Sequence, residues 1–330
     1  MILKTILVMA FALKTLSCAP SPTANTAFDP NLDSRKSSNV IGGESVGVLQ
    51  SKASRSVIGI ELIDKNRRIV GLCTGVLIGP NTVLSAAHCF NESLLPGVSG
   101  FNIIFDTHIK FQDNHNLRTG FSYKTHFMYN TFMKTWVADN GRYVEAEKHP
   151  DIKLTDGTTS LVPDGDHDLA VLVFRGVRPA GYEPVALDMD SNADYTGKTV
   201  YFYGFGRAND YSLQNYSTDS STGFLRKGNG IVDQDFNKYH DRYFLAKNSK
   251  NLLCHGDSGG PQFFNENGVL KIIGINSAVS SSENSTTVTV DGAGKTMLSC
   301  RNRSQVAKVA PYASWILNTS DLMLKEMHAE

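Results

Sequence analysis

The segment Cys254-His255-Gly256-Asp257-Ser258-Gly259-Gly260-Pro261 constrains this chain more than any other. It sets one serine among three glycines, with an aspartate directly before it and a cysteine four residues back. Serine is a weak nucleophile at neutral pH. It becomes a catalyst only beside a general base and with donors ready for an oxyanion. Gly256 lacks a Cβ, so its backbone can take unusual torsions and approach a substrate closely. The N–H groups of Gly256 and Ser258 are thus the candidate oxyanion hole. The plain alternative is a Gly-rich turn carrying a solvated serine.

A nucleophilic serine calls for a histidine. Of nine histidines, His88 stands out in Thr82-Val83-Leu84-Ser85-Ala86-Ala87-His88-Cys89. A β-branched run leads into small residues, the histidine comes where the strand ends, and a cysteine follows that can anchor it. The two segments together resemble the chymotrypsin/trypsin-like serine proteases, whose matching blocks read Gly-Asp-Ser-Gly-Gly-Pro and Leu-Thr-Ala-Ala-His-Cys. The resemblance implies a chain order of His, Asp, Ser. Asp168 opens the apolar run Leu169-Ala170-Val171-Leu172-Val173-Phe174 and is the expected acid. A carboxylate at the mouth of a buried strand is costly unless paired. Accepting an N–H of His88 pairs it and leaves the other ring nitrogen free to take the Ser258 proton. Asp166, two residues earlier, is the competitor, and Asp168 is preferred because it abuts the apolar run.

The chain has 330 residues, 41% of them hydrophobic, and a formal net charge of +0. The length suffices for a large core, and the scattered charge makes no case for nucleic acid. No cofactor is implied. His108, His115, His126 and His149 lie in the polar segment 106–150, but without metal-ligand spacing, so no metal is expected and a decorated surface loop is. Residues 1–17 read as a signal peptide, with Lys4 before a short apolar core from Ile6 to Leu13. Export permits disulfides. The resemblance implies the pairs Cys73–Cys89 and Cys254–Cys300. It leaves Cys18, in Leu16-Ser17-Cys18, with two readings: lipidation in a bacterial lipoprotein box, or removal with an ordinary signal. Membrane attachment is expected only with lipidation, and residues 18–39, rich in Ser, Pro, Asn and Thr, are a disordered propeptide or tether.

Val40-Ile41-Gly42-Gly43 resembles the family's mature N-terminus, Ile-Val-Gly-Gly. The resemblance implies that a cut before Val40 frees an amine that pairs with Asp257 and holds the oxyanion loop in shape. Asn39, before the cut, is not the basic residue typical of zymogens, so the activating protease is unknown.

Short β-branched or aromatic runs recur at 56–62, 68–78, 101–105, 169–174, 199–203 and 269–277 and indicate an all-β protein. The resemblance makes this two six-stranded antiparallel β-barrels, about 40–178 and 190–309, within a peptidase domain over 40–316. A C-terminal helix is expected over 310–327. For specificity, Leu252 stands where trypsin-like members carry the acid that binds Arg or Lys. Ser277, with Ala278 and Val279, stands for the family's Ser-Trp-Gly wall. Ser277 is also expected to support Asp168, Val279 to narrow the pocket, and Gln305 to project from the opposite wall. The expected protein is an exported serine endopeptidase of protein or peptide substrates, with a taste for small or aliphatic side chains. The competing readings are a catalytically silent protease-like binding protein and a surface adhesin.

Overall fold

The computed structural model describes residues 43–47, 50–92, 94–109, 116–129, 131–139, 142–145, 158–163, 167–208, 222–233, 242–246, 250–280, 287–289, 296–298, 300 and 303–330. The expected signal, Cys18, the tether, Val40 and Asp166 lie outside the described residues. The short runs singled out in the sequence become strands. In chain order these are β1 (Glu44–Ser45), β2 (Val57–Ile63), β3 (Ile69–Leu77), β4 (Thr82–Ser85), β5 (Gly100–Ile104), β6 (Leu117–Thr125), β7 (Thr131–Asp139), β8 (Arg142–Glu145), β9 (Thr158–Pro163) and β10 (Ala170–Phe174). There follow β11 (Ala186–Leu187), β12 (Thr199–Gly204), β13 (Arg226–Ile231), β14 (Arg242–Phe244), β15 (Pro261–Glu266), β16 (Val269–Ser280), β17 (Thr287–Thr289), β18 (Thr296–Leu298) and β19 (Arg303–Lys308). Helix α1 spans Ala313–Ala329.

The first sheet closes on itself in the order β10-β4-β3-β2-β5-β6. Strands β2 and β10 read as near-continuous apolar runs because both faces are covered: all five residues of β10 are buried, and six of the seven of β2. Ile58, Ile60, Leu62, Val83, Leu84 and Leu172 are wholly inaccessible within it. Helix α1 repeats Ile316, Met323 and Met327 on one face. Ile316 and Met323 are buried in the same core, and Ser320 Oγ hydrogen-bonds Thr82 Oγ1 on β4 at 3.0 Å.

The second sheet departs from a plain six-stranded barrel. It has eight strands, in the order β1-β13-β12-β15-β16-β19-β14 with β11 parallel to β16. Six of them, β12 to β16 and β19, make the expected ring. That ring meets through the isolated bridge Val232↔Leu245 rather than a full ladder, flanked by Asp233 N–H to Phe244 O at 2.8 Å and Ala246 N–H to Ile231 O at 2.9 Å. The added strands are two residues each: β1 pairs β13 through Glu44↔Lys227 and Ser45↔Arg226. Two small sheets are further additions. β8-β7-β9 emerges between β6 and β10, and β17-β18 follows β16.

The first barrel carries His88, so its packing sets where that residue stands. Ile60 lies on the central strand β2, between Cys73 and Ile103. Ile60→Ala is expected to lower the unfolding free energy by about 2–5 kcal/mol, lost contacts plus a cavity, as read from chemical denaturation.

Candidate active site

β4 ends at Ser85 and the chain tightens into a 3-10 turn, Ala87–Phe90, that carries His88. Two anchors hold the turn. Cys89 is disulfide-bonded to Cys73 on β3, and Phe90 stacks on Tyr123 at 4.4 Å between ring centres. His88 Nδ1 lies 2.7 Å from Asp168 Oδ2, and the His88 backbone N–H donates to Asp168 Oδ1 at 2.8 Å. Ser277 Oγ donates to Oδ2 at 2.6 Å. Asp168 is wholly buried. Burial pushes its carboxyl pKa up, but the charge and hydrogen bonds of His88, with Ser277, outweigh this and hold it below the ordinary value. An ionised carboxylate only accepts, so Nδ1 of His88 donates and Nε2 is the basic nitrogen. For His88, burial disfavours the cation, and the Asp168 charge and hydrogen bond more than offset it, so its pKa is raised above 6.5.

The residue before Asp168 is also fixed. His167 takes a left-handed backbone (φ 61°), and its ring stacks on His126 at 5.2 Å. Both rings meet Tyr312, and His126 also meets Trp315 of α1. Burial and the neighbouring His167 push the His126 pKa down to about 4. This aromatic cluster locks the approach to the acid onto the C-terminal helix.

The octapeptide forms a tight loop. Asp257 N–H donates to Cys254 O at 3.0 Å, and Gly256 takes φ 98°, where an L side chain is strained. The His255 carbonyl accepts Arg207 N–H at 2.9 Å. In a trans peptide the N–H points opposite to the C=O, so the Gly256 N–H is turned away from Arg207. Among the described residues, neither the Gly256 nor the Ser258 N–H has an acceptor, although buried backbone N–H groups are almost always paired. The loop that carries Ser258 thus holds two N–H groups without an acceptor among the described residues. Ser258 O accepts Thr74 N–H at 2.8 Å, which ties the serine to β3. No hydrogen bond joins Ser258 Oγ to His88 among the described contacts. Catalytic bonds of resting sites commonly tighten only with substrate.

The Trypsin family model matches residues 60–293. The chain belongs to the Trypsin family. It is a serine endopeptidase, a hydrolase acting on proteins or peptides. Its fold is similar to that of HL collagenase, with a TM-score of 0.55 and 17% identity over 84% of this chain and 97% of that one.

In this family member the nucleophile loop is built around a buried carboxylate. Asp257 accepts Gly206 N–H at 2.8 Å and Cys254 N–H at 2.9 Å. A Cβ on Gly204 would lie 2.1 Å from its Oδ1, and one on Gly206 would lie 2.5 Å from its Cγ. Burial drives the Asp257 pKa up to about 6, and the two N–H donors and the Arg226 charge offset only part of that. Behind the loop, Asn276 Nδ2 donates to Asp257 O at 3.1 Å and to Tyr203 O at 3.3 Å, and Gln262 Nε2 donates to Asn276 Oδ1 at 2.6 Å.

Ser277 is the extra residue of a bulge. The β16–β19 register runs Asn276↔Val306 and then Ala278↔Gln305. The bulge lets consecutive residues serve different partners, Asn276 the loop and Ser277 the acid. Val279 is paired with Ser304, while Gln305 stands opposite Ala278. Leu252, Ser277 and Gln305 are buried, and Ser304 Oγ and Gln305 Nε2 have no hydrogen-bond partner among the described residues. Cys254 is disulfide-bonded to Cys300, as the resemblance implied. Cys73, His88 and Cys89 bring ligand atoms together, but both sulfurs are taken by the disulfide. Thr74, Asn276, Gln262 and Arg226 had no assigned role from sequence. Their partners lie outside the local sequence, from 14 positions away for Gln262 and Asn276 to 182 for Thr74 and Gly256.

NMR titration of the His88 ring is expected to show a pKa above 6.5. With Asp168→Ala only the burial contribution is left, and the value should fall below 6.5.

Proposed function

We propose that the protein is an exported endopeptidase that works through Ser258, His88 and Asp168. The observation carrying this reading is the pair of unpaired N–H groups at Gly256 and Ser258, next to a histidine already oriented by a buried carboxylate. Ser258 Oγ attacks the scissile carbonyl while His88 Nε2 takes its proton. Asp168 stabilises the imidazolium that forms. The Gly256 and Ser258 amides receive the oxyanion, His88 returns the proton to the leaving amine, and water deacylates the enzyme by the reverse route. Ser258→Ala is expected to abolish labelling by a fluorophosphonate probe while leaving the melting temperature near that of the parent. Asp168→Asn should lower kcat about 10⁴-fold by presenting the wrong histidine tautomer. Unchanged labelling of Ser258→Ala would sink the reading.

Residues taken before the scissile bond are small or aliphatic. Leu252 offers no charge to a cationic side chain, Val279 is bulkier than the glycine of the family's Ser-Trp-Gly wall, and the Ser277 hydroxyl is spent on Asp168. A peptide-library profile should favour Ala, Val or Leu; dominance of Arg and Lys would refute the preference.

Cleavage before Val40 supplies the missing counter-charge of Asp257. Glu44 and Ser45 are pinned against Lys227 and Arg226, and the Arg226 charge already reaches Asp257. Four extended residues span about 13–14 Å, the reach of a new amine at Val40 from Glu44. The sign of the pH dependence follows from Asp257. Its folded pKa of about 6 exceeds its unfolded one, 3.8. Ionising it therefore costs the uncut fold nothing below about pH 4 and about 3 kcal/mol above pH 6. The paired amine removes that cost. In the Ser258→Ala background, the cut chain should outlast the uncut one in thermal melts by a wider margin at pH 7 than at pH 5. Equal margins would reject the pairing.

Export leaves Cys18 either as a lipidated N-terminus or discarded, and mass spectrometry of the mature protein separates a lipid-bearing Cys18 from a chain that starts at Val40.

A further inference from the structure

Thr74 grips the nucleophile loop twice. Its backbone N–H donates to Ser258 O at 2.8 Å. Its side-chain Oγ1 donates to Gly256 O at 2.8 Å and accepts Phe205 N–H at 3.1 Å. The residue is wholly buried. The hydroxyl has one proton and spends it on Gly256, so the bond to Phe205 uses a lone pair. Its own carbonyl accepts Ser85 Oγ at 2.8 Å, on the strand that leads to His88.

The consequence lies in the peptide plane between Gly256 and Asp257. That plane is held at both ends, the Gly256 carbonyl by Thr74 Oγ1 and the Asp257 N–H by Cys254 O at 3.0 Å. A plane fixed at both poles cannot rotate. Gly256 is the residue with the widest freedom of torsion in the loop, and it sits at φ 98°. Its own N–H belongs to the preceding plane, whose His255 carbonyl accepts Arg207 N–H at 2.9 Å, so with the following plane anchored by Thr74 the glycine is held on both sides. Loss of the Thr74 anchor frees the following plane, so the glycine is held on one side only and its N–H can shift from the position of a developing oxyanion. Misplacement of a donor matters there because the stabilisation depends on geometry set before the reaction.

We propose that Thr74 is a positioning residue that holds the oxyanion-binding amide of Gly256 in its working orientation through its side-chain hydroxyl. The inference rests on the reading of Gly256 and Ser258 as the oxyanion hole. Thr74 touches no reacting atom. It acts from the first barrel on a loop of the second, and it joins that loop to Cys73, whose disulfide partner Cys89 follows His88.

The test compares the mature enzyme with Thr74→Val and Thr74→Ser. A fluorophosphonate probe first counts functional sites in each preparation, and circular dichroism melts report the folded fraction. Initial rates with an aliphatic peptide anilide then give kcat and KM per folded molecule. Val keeps the shape and loses the hydroxyl. It should lower kcat about 10- to 100-fold, part of the loss seen when an oxyanion donor is removed outright, with KM within about twofold. The rate constant of fluorophosphonate labelling should fall in parallel, because the phosphoryl oxygen uses the same amides. Ser restores the hydroxyl and should return kcat to within about threefold of the parent. The proposal is overturned if Thr74→Val keeps its kcat, if its loss is matched by the drop in folded fraction, or if Thr74→Ser falls as far as Thr74→Val. A parent enzyme that the probe never labels would instead overturn the triad reading, and the Thr74 proposal with it.

Discussion

A buried carboxylate, Asp257, is the constraint around which the nucleophile loop takes shape. The interior penalises its charge, and what surrounds it reads as a response to that cost. Gly204 and Gly206 lack side chains where a Cβ would strike it. Gly206 and Cys254 turn their N–H groups toward it. Arg226, itself buried, adds its charge and donates to Gly206 O at 2.9 Å. The balance is incomplete, since the pKa stays near 6. On the reading proposed above, a new N-terminal amine at Val40 would relieve that residual cost.

The second dependence is between the two sheets. Neither can assemble the site alone. His88 and Asp168 belong to the first barrel, but the third member of their hydrogen-bond chain, Ser277, comes from a bulge in the second sheet. The serine loop belongs to the second sheet, yet its backbone is held by Thr74 of the first. These contacts cross the cleft in both directions. Small relative movements of the sheets would therefore loosen His88, Asp168 and the loop together.

The motifs were legible where chemistry is local. His88 is announced by the small residues before it and the cysteine after it, and Asp168 by the apolar strand it opens. The disulfides followed from resemblance. Strands such as β2 and β10 were legible because a closed barrel buries both faces and leaves an apolar run. The second sheet was less so. Its ring meets through one bridge, Val232↔Leu245, and the strands β1 and β11 are two residues each, too short for any pattern. The segment 106–150, which reads from sequence as a decorated loop, holds the strands β6, β7 and β8, and its mixed polar and aromatic sequence gives no apolar run to mark them.

Thr74 and Asn276 show where such reading stops. Each is an ordinary polar residue in a strand, and each satisfies a carbonyl of the loop from a distant part of the chain. Local sequence carries no sign of this, since what selects the residue is the orphaned partner it meets after folding. A threonine at a buried strand position is costly unless its hydroxyl finds both a donor and an acceptor, and Thr74 finds them in Phe205 and Gly256. The same need is only partly met for Gln262, whose Nε2 serves Asn276 while its Oε1 has no partner. Buried polar groups of this kind stabilise little on balance, because each bond replaces one to water. Their effect is to exclude alternatives: a loop with three glycines has many conformations, and each anchored carbonyl removes the ones in which it would be left unbonded. The precision of the nucleophile loop is thus a property of its supports more than of its own sequence.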